Sequence, residues 1–383
     1  MTRKPTRELP SKLKPGETLL VENIAYNVRQ VLRRPFPEEA PPAETLLLAQ
    51  CLSGRNASTL VFIRCLEGPE NTPAIRRAQD GGKLAQRLDH PHIGKVWQVH
   101  AAPPALYIVS EYMGGFTLEM VASFCAMLKR PPRAAFVSFI GAAVADALDY
   151  AHRTKDDEGR PLGLVHRGIN PENIRLGTGG EVKLTGFDEM FSRLAGRQQT
   201  TTNTLRGDMA YAAPEYVRQG QQDRRLDFFA LGMVMLELLT GRHPFDDPEE
   251  VMPRHPARGD DTRCLQAAHP SWLPLDVLAQ RLMEFGPEQV ELAALDQPDA
   301  VVAILERALE RDPEKRYQTG AEMRDDLLAY LDGLRVPYTP DVAVEEVRHL
   351  RDQARSVSGQ TSPVEWDVLL DEDIVPAGPM PEN

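Results

Sequence analysis

The side chains best suited to chemistry in this 383-residue chain gather between Leu164 and Asp188. The stretch reads Leu-Val-His-Arg-Gly-Ile-Asn-Pro-Glu-Asn-Ile, then a short turn, then Val-Lys-Leu-Thr-Gly-Phe-Asp. Arg167 is of the type that receives a phosphate. Asn173 offers one neutral oxygen, whereas magnesium prefers hard, anionic oxygen ligands. Gly168 and Gly186 contribute no side chain. Asp188 ends the stretch with a carboxylate, two residues beyond Gly186.

These residues resemble the protein-kinase family, whose signature is H-R-D-x-x-x-x-N followed by D-F-G. His166, Arg167 and Asn173 sit on the first pattern and Phe187 on the second, while both aspartate positions are glycine, at 168 and 186. In the family the first aspartate accepts the proton of the attacking hydroxyl, and the second holds magnesium together with the asparagine. A positioned base contributes ~10²–10⁴-fold in rate, about 3–5 kcal/mol of barrier. The resemblance therefore implies a kinase fold without kinase chemistry: not an enzyme, with no cofactor and no metal. Asp188 is the candidate for a relocated carboxylate.

The resemblance implies an α+β, two-lobed architecture with a small antiparallel β lobe and a larger α-helical lobe. Residues 1–19 read as a basic tail, 20–112 as the small lobe, 113–335 as the large lobe, and 336–383 as a helical and then acidic tail. The apolar runs Glu44–Cys51 and Thr59–Leu66 look like neighbouring strands joined by a hairpin. Between Glu17 and Ser53 the chain has no glycine and offers Pro35, Pro37, Pro41 and Pro42, so no glycine-rich phosphate cradle is expected there.

On the second strand, Arg64 falls where the family has its phosphate-pairing lysine, and keeps the charge without the compact geometry. Strand side chains alternate, so Phe62 faces the cleft beside it and is expected to fill the adenine's volume. After Asn173 the adenine floor falls on Arg175. A helix over Ala74–Leu88 resembles the family's αC, but its clamping glutamate falls on Gly81, beside Gly82. Two glycines cost a helix about 1 kcal/mol each, so this helix is expected to bend or fray, with Asp80 the one carboxylate near Arg64.

The parts of the pattern that hold the large lobe together are present. Ala213-Pro214-Glu215 matches A-P-E, with Arg316 as the glutamate's partner. Asp227 matches the buried aspartate that ties down the catalytic loop, and His166 with Phe187 the packing pair of the spine. Decay without selection would strike both sets of positions.

Between Asp188 and Tyr211, Thr200, Thr201, Thr202 and Thr204 are candidate phosphosites, with Arg167 as receptor; a merely solvated loop is the alternative. Trp272 and Phe285 lie in a long connection, either packed or marking a contact surface. Val344, Val347 and Leu350 form one stripe of a helix over Val342–Arg355. Beyond it, Trp366, Leu369 and Leu370 in an acidic stretch are candidate docking residues, with disorder as the alternative.

A net charge of −12 argues against a sequence-independent grip on nucleic acid. The 4 cysteines show no paired spacing. No apolar run follows the basic N-terminus, and Phe136–Tyr150 and Leu226–Leu239 are too short to cross a membrane. The expectation is a cytoplasmic, bacterial-type protein with no nucleic-acid and no membrane partner. Its expected function is an inactive scaffold or regulator that binds a protein, an active kinase or its substrate. The alternatives are a weak or atypical Ser/Thr protein kinase and an ATP-binding switch without turnover.

Overall fold

Alternation of β-branched and aliphatic residues builds the small lobe. A computed structural model describes residues 9–33, 42–54, 57–69, 72–192, 209–218, 222–245 and 275–358. Within them, β1 (Thr18–Val21), β2 (Ile24–Arg33), β3 (Ala43–Cys51), β4 (Leu60–Glu67), β5 (Val96–Ala102) and β6 (Ala105–Glu111) form one sheet in the order β1-β2-β3-β4-β6-β5. Every pairing is antiparallel. On β4, Val61, Ile63 and Cys65 enter the core on one face of the sheet. Phe62 and Arg64 alternate to the other face. Leu13, within the segment expected to be a basic tail, is fully buried in that same core, so ordered structure begins before residue 20.

The helix α1 (Pro73–Ala85) starts where Thr72 Oγ1 accepts from the Ile75 amide at 3.3 Å. The expected bend or fray is not found. The helix runs continuously through Gly81 and Gly82, and both are buried. A β-carbon at Gly81 would collide with the carbonyl of Asp188, and one at Gly82 would press on Val99. Close packing, which propensity does not see, offsets the glycine cost.

The large lobe begins with β7 (Phe116–Thr117), α2 (Leu118–Leu128) and α3 (Ala134–Arg153). Helix α3 is 20 residues, longer than expected, and by length and composition alone could cross a membrane. Most of it is buried, and it packs on α5 and α9 in the manner of a core helix. Then follow β8 (Leu164–Val165), β9 (Ile174–Leu176), β10 (Val182–Leu184), β11 (Phe191–Ser192), α4 (Pro214–Val217) and α5 (Arg225–Thr240). The rest is α6 (Leu275–Glu284), α7 (Pro287–Ala293), α8 (Asp299–Ala308), α9 (Gly320–Asp332) and α10 (Pro340–Ser358).

Small antiparallel pieces position the site: β9 pairs with both β7 and β10, and β8 with β11. Phe285 packs edge-on against Phe245 at 5.4 Å and is buried, so it is core rather than contact surface. Trp272 lies outside the described residues. The C-terminal helix α10 folds back on α2, burying Val344, Val347 and Leu350. Burial of such side chains stabilises by roughly 1.5–3 kcal/mol each. The Arg133 amide donates to Glu346 Oε1 at 2.9 Å and fixes the helix's register. Trp366, Leu369 and Leu370 also lie outside the described residues.

Candidate active site

Asp227, at the start of α5, holds the loop that follows β8. Its two oxygens accept from the His166 and Arg167 amides at 2.9 Å each, and Oδ2 also meets His152 Nε2 at 2.8 Å. Burial alone would raise its pKa, but the hydrogen bond and charge of His152, with the loop amides, hold it below the usual carboxylate value. Arg167 is thereby held at a positive φ of 64°, with its guanidinium 6.0 Å from the Tyr216 ring. His166 Nε2 meets the Thr185 carbonyl at 2.8 Å, its ring stands edge-on to Phe187 at 4.5 Å, and Nδ1 accepts from the Gly168 amide.

Asn173 braces the loop through its Nδ2 and its backbone. Its Nδ2 donates to the Gly168 carbonyl at 2.7 Å, and its carbonyl accepts from Thr185 N at 2.8 Å. Asn170 Oδ1 accepts from Asn173 N at 3.0 Å, a capping role that removes it from the reacting groups. Gly186 takes φ +86° against the Asn173 amide, a backbone region that glycine enters without strain.

Arg64 crosses between the lobes. Nη1 pairs with Asp188 Oδ2 at 2.5 Å and Nη2 with Glu44 Oε2 at 2.8 Å. Residues 44 and 64 are diagonal neighbours on one face, since Leu46 stands opposite Arg64 in the β3–β4 register. Sequence reasoning missed Glu44, which strand pairing alone brings to Arg64. Asp188, the candidate for a relocated carboxylate, is the partner of an arginine.

The donor set does not fit a magnesium site. Gly168 and Gly186 supply no ligand, Asn173 has only its neutral Oδ1 to offer because Nδ2 is bound to the loop, and the Asp188 carboxylate is paired to a guanidinium. Among the described residues no group of three His, Cys, Asp or Glu side chains could hold a metal.

Above this loop Phe62 meets Tyr112 at 5.2 Å, and the Arg175 guanidinium lies 5.5 Å from the Phe62 ring. Phe62 is partly buried and packs on the cluster of Leu48, Leu60 and Tyr112. Arg175 is 8% exposed, and burial lowers its pKa to about 10. On the other side of the loop, Arg167, Ile169, Tyr211, Tyr216, Leu226 and Ala230 line a small concavity. Arg316 grips Glu215 with Nη1 at 2.6 Å and Nη2 at 2.8 Å, as the motifs imply. Thr200, Thr201, Thr202 and Thr204 lie outside the described residues.

Residues 52–327 match the family model described as the protein kinase domain. The chain is 31% identical over 262 residues to the serine/threonine-protein kinase PrkC of Bacillus subtilis, covering 68% of this chain and 35% of that one. It is 31% identical over 275 residues to the tyrosine-protein kinase MasK of Myxococcus xanthus, 71% of this chain and 38% of that one. It is 31% identical over 299 residues to the serine/threonine-protein kinase PknB of Mycobacterium tuberculosis, 76% of this chain and 41% of that one. The chain thus spans between about a third and two fifths of the length of these relatives.

The relatives overturn the expectation that this chain is not an enzyme, since each is named a kinase. The physical reason lies in magnitudes. A base contributes ~10²–10⁴-fold, whereas enzymes accelerate reactions by ~10⁶-fold or far more, so the base missing at Gly168 lowers a rate without erasing the part that positioning supplies. With its two lobes, the Asp227-tethered loop, the Arg316–Glu215 pair and the matched domain all in agreement, this chain belongs to the protein kinase family.

Proposed function

We propose that the chain is a weak, atypical serine/threonine-type protein kinase. It moves the γ-phosphoryl group of a nucleoside triphosphate to a hydroxyl of a protein. The hydroxyl oxygen bonds to phosphorus, the bond to the bridging oxygen breaks, and the nucleoside diphosphate leaves. The hydroxyl proton passes to a phosphate oxygen or to water, because Gly168 carries no acceptor. The observation behind this reading is Arg64, a cation fixed between Glu44 and Asp188, the latter next to Phe187, whose ring packs on His166 of the loop that Asp227 holds. A preorganised cation stabilises charge that develops on a transferring phosphoryl group. PrkC and PknB, by their names, support serine or threonine as acceptor. Free, buried Cys51, Cys65 and Cys125 support a reducing, cytoplasmic setting.

The test is transfer of labelled γ-phosphate by the full chain to a generic protein acceptor and to itself. Transfer should exceed that of Arg64→Ala by tenfold or more, on the order expected for loss of one charge-stabilising group. Equal labelling by the two proteins would refute the reading.

A further inference from the structure

The anomaly in the cleft is Arg175. It is on β9, between Thr117 of β7 and Lys183 of β10, and only 8% exposed. Its Nε and Nη2 are buried without a hydrogen-bond partner. Burying a donor unpaired is costly, and a leucine would fill the same volume without that cost. Such a group calls for a partner from outside the chain. The two orphaned atoms are not a random pair: in a planar guanidinium, Nε–H and the neighbouring Nη2–H point the same way and form one two-toothed donor edge. That edge fits two adjacent acceptors. Around it are Phe62 and Tyr112, aromatic faces on which a planar ring can stack.

We propose that Arg175 reads the base of the nucleotide and selects guanine over adenine. Guanine presents O6 and N7 as adjacent acceptors, whereas adenine presents an N6 donor beside N7. The arginine edge pairs with the first and opposes the second. In this structure the guanidinium itself covers Phe62. An entering base takes over that stacking face, and Arg175 swings to the base's edge, where both orphaned donors gain acceptors. The choice of a nucleotide rests on the phosphotransfer reading; the choice of base rests on Arg175 alone.

The experiment is a thermal-shift titration of the full chain with GTP and with ATP, for wild type, Arg175→Leu and Arg175→Lys. Wild type should respond at roughly tenfold lower GTP than ATP, the discrimination typical of a two-toothed arginine contact. Arg175→Leu should lose the preference. Arg175→Lys, which keeps the charge without the planar edge, should lose it too. Equal responses to the two nucleotides in wild type would mean that the cation attracts phosphates only, and would overturn the proposal. So would a preference that persists in Arg175→Leu, or no response to either nucleotide. Phosphotransfer from ATP in a protein that shows no GTP preference would leave the kinase reading standing and remove this one.

Discussion

Arg64 and Glu44 meet across adjacent antiparallel strands, with Nη2 2.8 Å from Oε2. The family resemblance places the carboxylate for this position on α1, yet α1 has glycine there and lies against the Asp188 carbonyl. The counter-charge has therefore moved from helix to strand. If Glu44 orients Arg64 for phosphate, Glu44→Gln should lower phosphotransfer about tenfold, the effect of removing one charged hydrogen bond of roughly 1.5–3 kcal/mol. Glu44→Asp should recover part of the rate. Initial rates compared at equal fraction folded decide the matter, and an unchanged rate in Glu44→Gln would show that Glu44 does not orient Arg64 for transfer.

Gly81 should tolerate no side chain. A β-carbon there would strike the Asp188 carbonyl, backbone that cannot rotate away. Overpacking of this kind costs typically ~1–3 kcal/mol, and alanine's better helix propensity returns about 1 kcal/mol at most. Gly81→Ala should lower the urea midpoint despite that gain. A more stable variant would mean that α1 and the turn at Phe187–Glu189 are not in contact in solution.

The large-lobe frame was legible because its motifs are local and their partners fixed by chemistry. Asp227 below the catalytic loop, Arg316 on Glu215, and His166 on Phe187 all follow from spacing. The stripe of Val344, Val347 and Leu350 likewise announced α10, to within a few residues of its ends. Glu44 was invisible because only the β3–β4 register brings it to Arg64, 20 residues away in sequence. The glycines of α1 misled for the opposite reason. Propensity weighs a helix alone, whereas Gly81 meets a turn over a hundred residues downstream and Gly82 meets Val99 of β5. Leu13 lies in a short, basic stretch with no periodicity, so its burial depends on the sheet it covers.

Gly168→Asp should raise phosphotransfer. A β-carbon at 168 has His166 Nδ1 at 3.6 Å and Asn173 Nδ2 at 3.7 Å as nearest neighbours, so the position has room for a side chain. A restored base is worth ~10²–10⁴-fold where the remaining groups are in place. A gain near the lower bound is expected, because the Asp188 carboxylate remains paired to Arg64. Labelled transfer by the two proteins measures it, and no gain would show that the base is not what limits the rate.

His90 should make the protein less stable in mild acid. It stacks on Tyr150 at 5.0 Å, 5.7 Å from the His92 ring, with Asp146 3.3 Å away. Burial lowers its pKa from the ordinary 6.5, and outweighs the opposing pull of Asp146. The folded state thus prefers the neutral ring, and the unfolded chain takes up the proton first. Stability from this group is present above pH 6.5 and declines as pH falls below it. Urea midpoints at pH 7.5 and 5.5 should differ, and the difference should shrink in His90→Asn. A midpoint that rises on acidification in wild type but not in the variant would assign the ion pair with Asp146 the larger effect.

Arg175→Leu should stabilise the protein in the absence of nucleotide. Burial takes the guanidinium from its ordinary 12.5 to about 10, which corresponds to roughly 3 kcal/mol of penalty on the charged form at neutral pH. The contact with Phe62 returns about 0.5–2 kcal/mol. That burial cost falls on Nε and Nη2, which are left unpaired, so the balance remains unfavourable. Leucine keeps the contact with Phe62 and carries no such cost. The expected gain is about 1–3 kcal/mol in chemical denaturation, and a loss of stability would show that Arg175 is paired in solution by a group from its own chain. A residue retained at a cost to stability is what a ligand contact looks like before the ligand arrives.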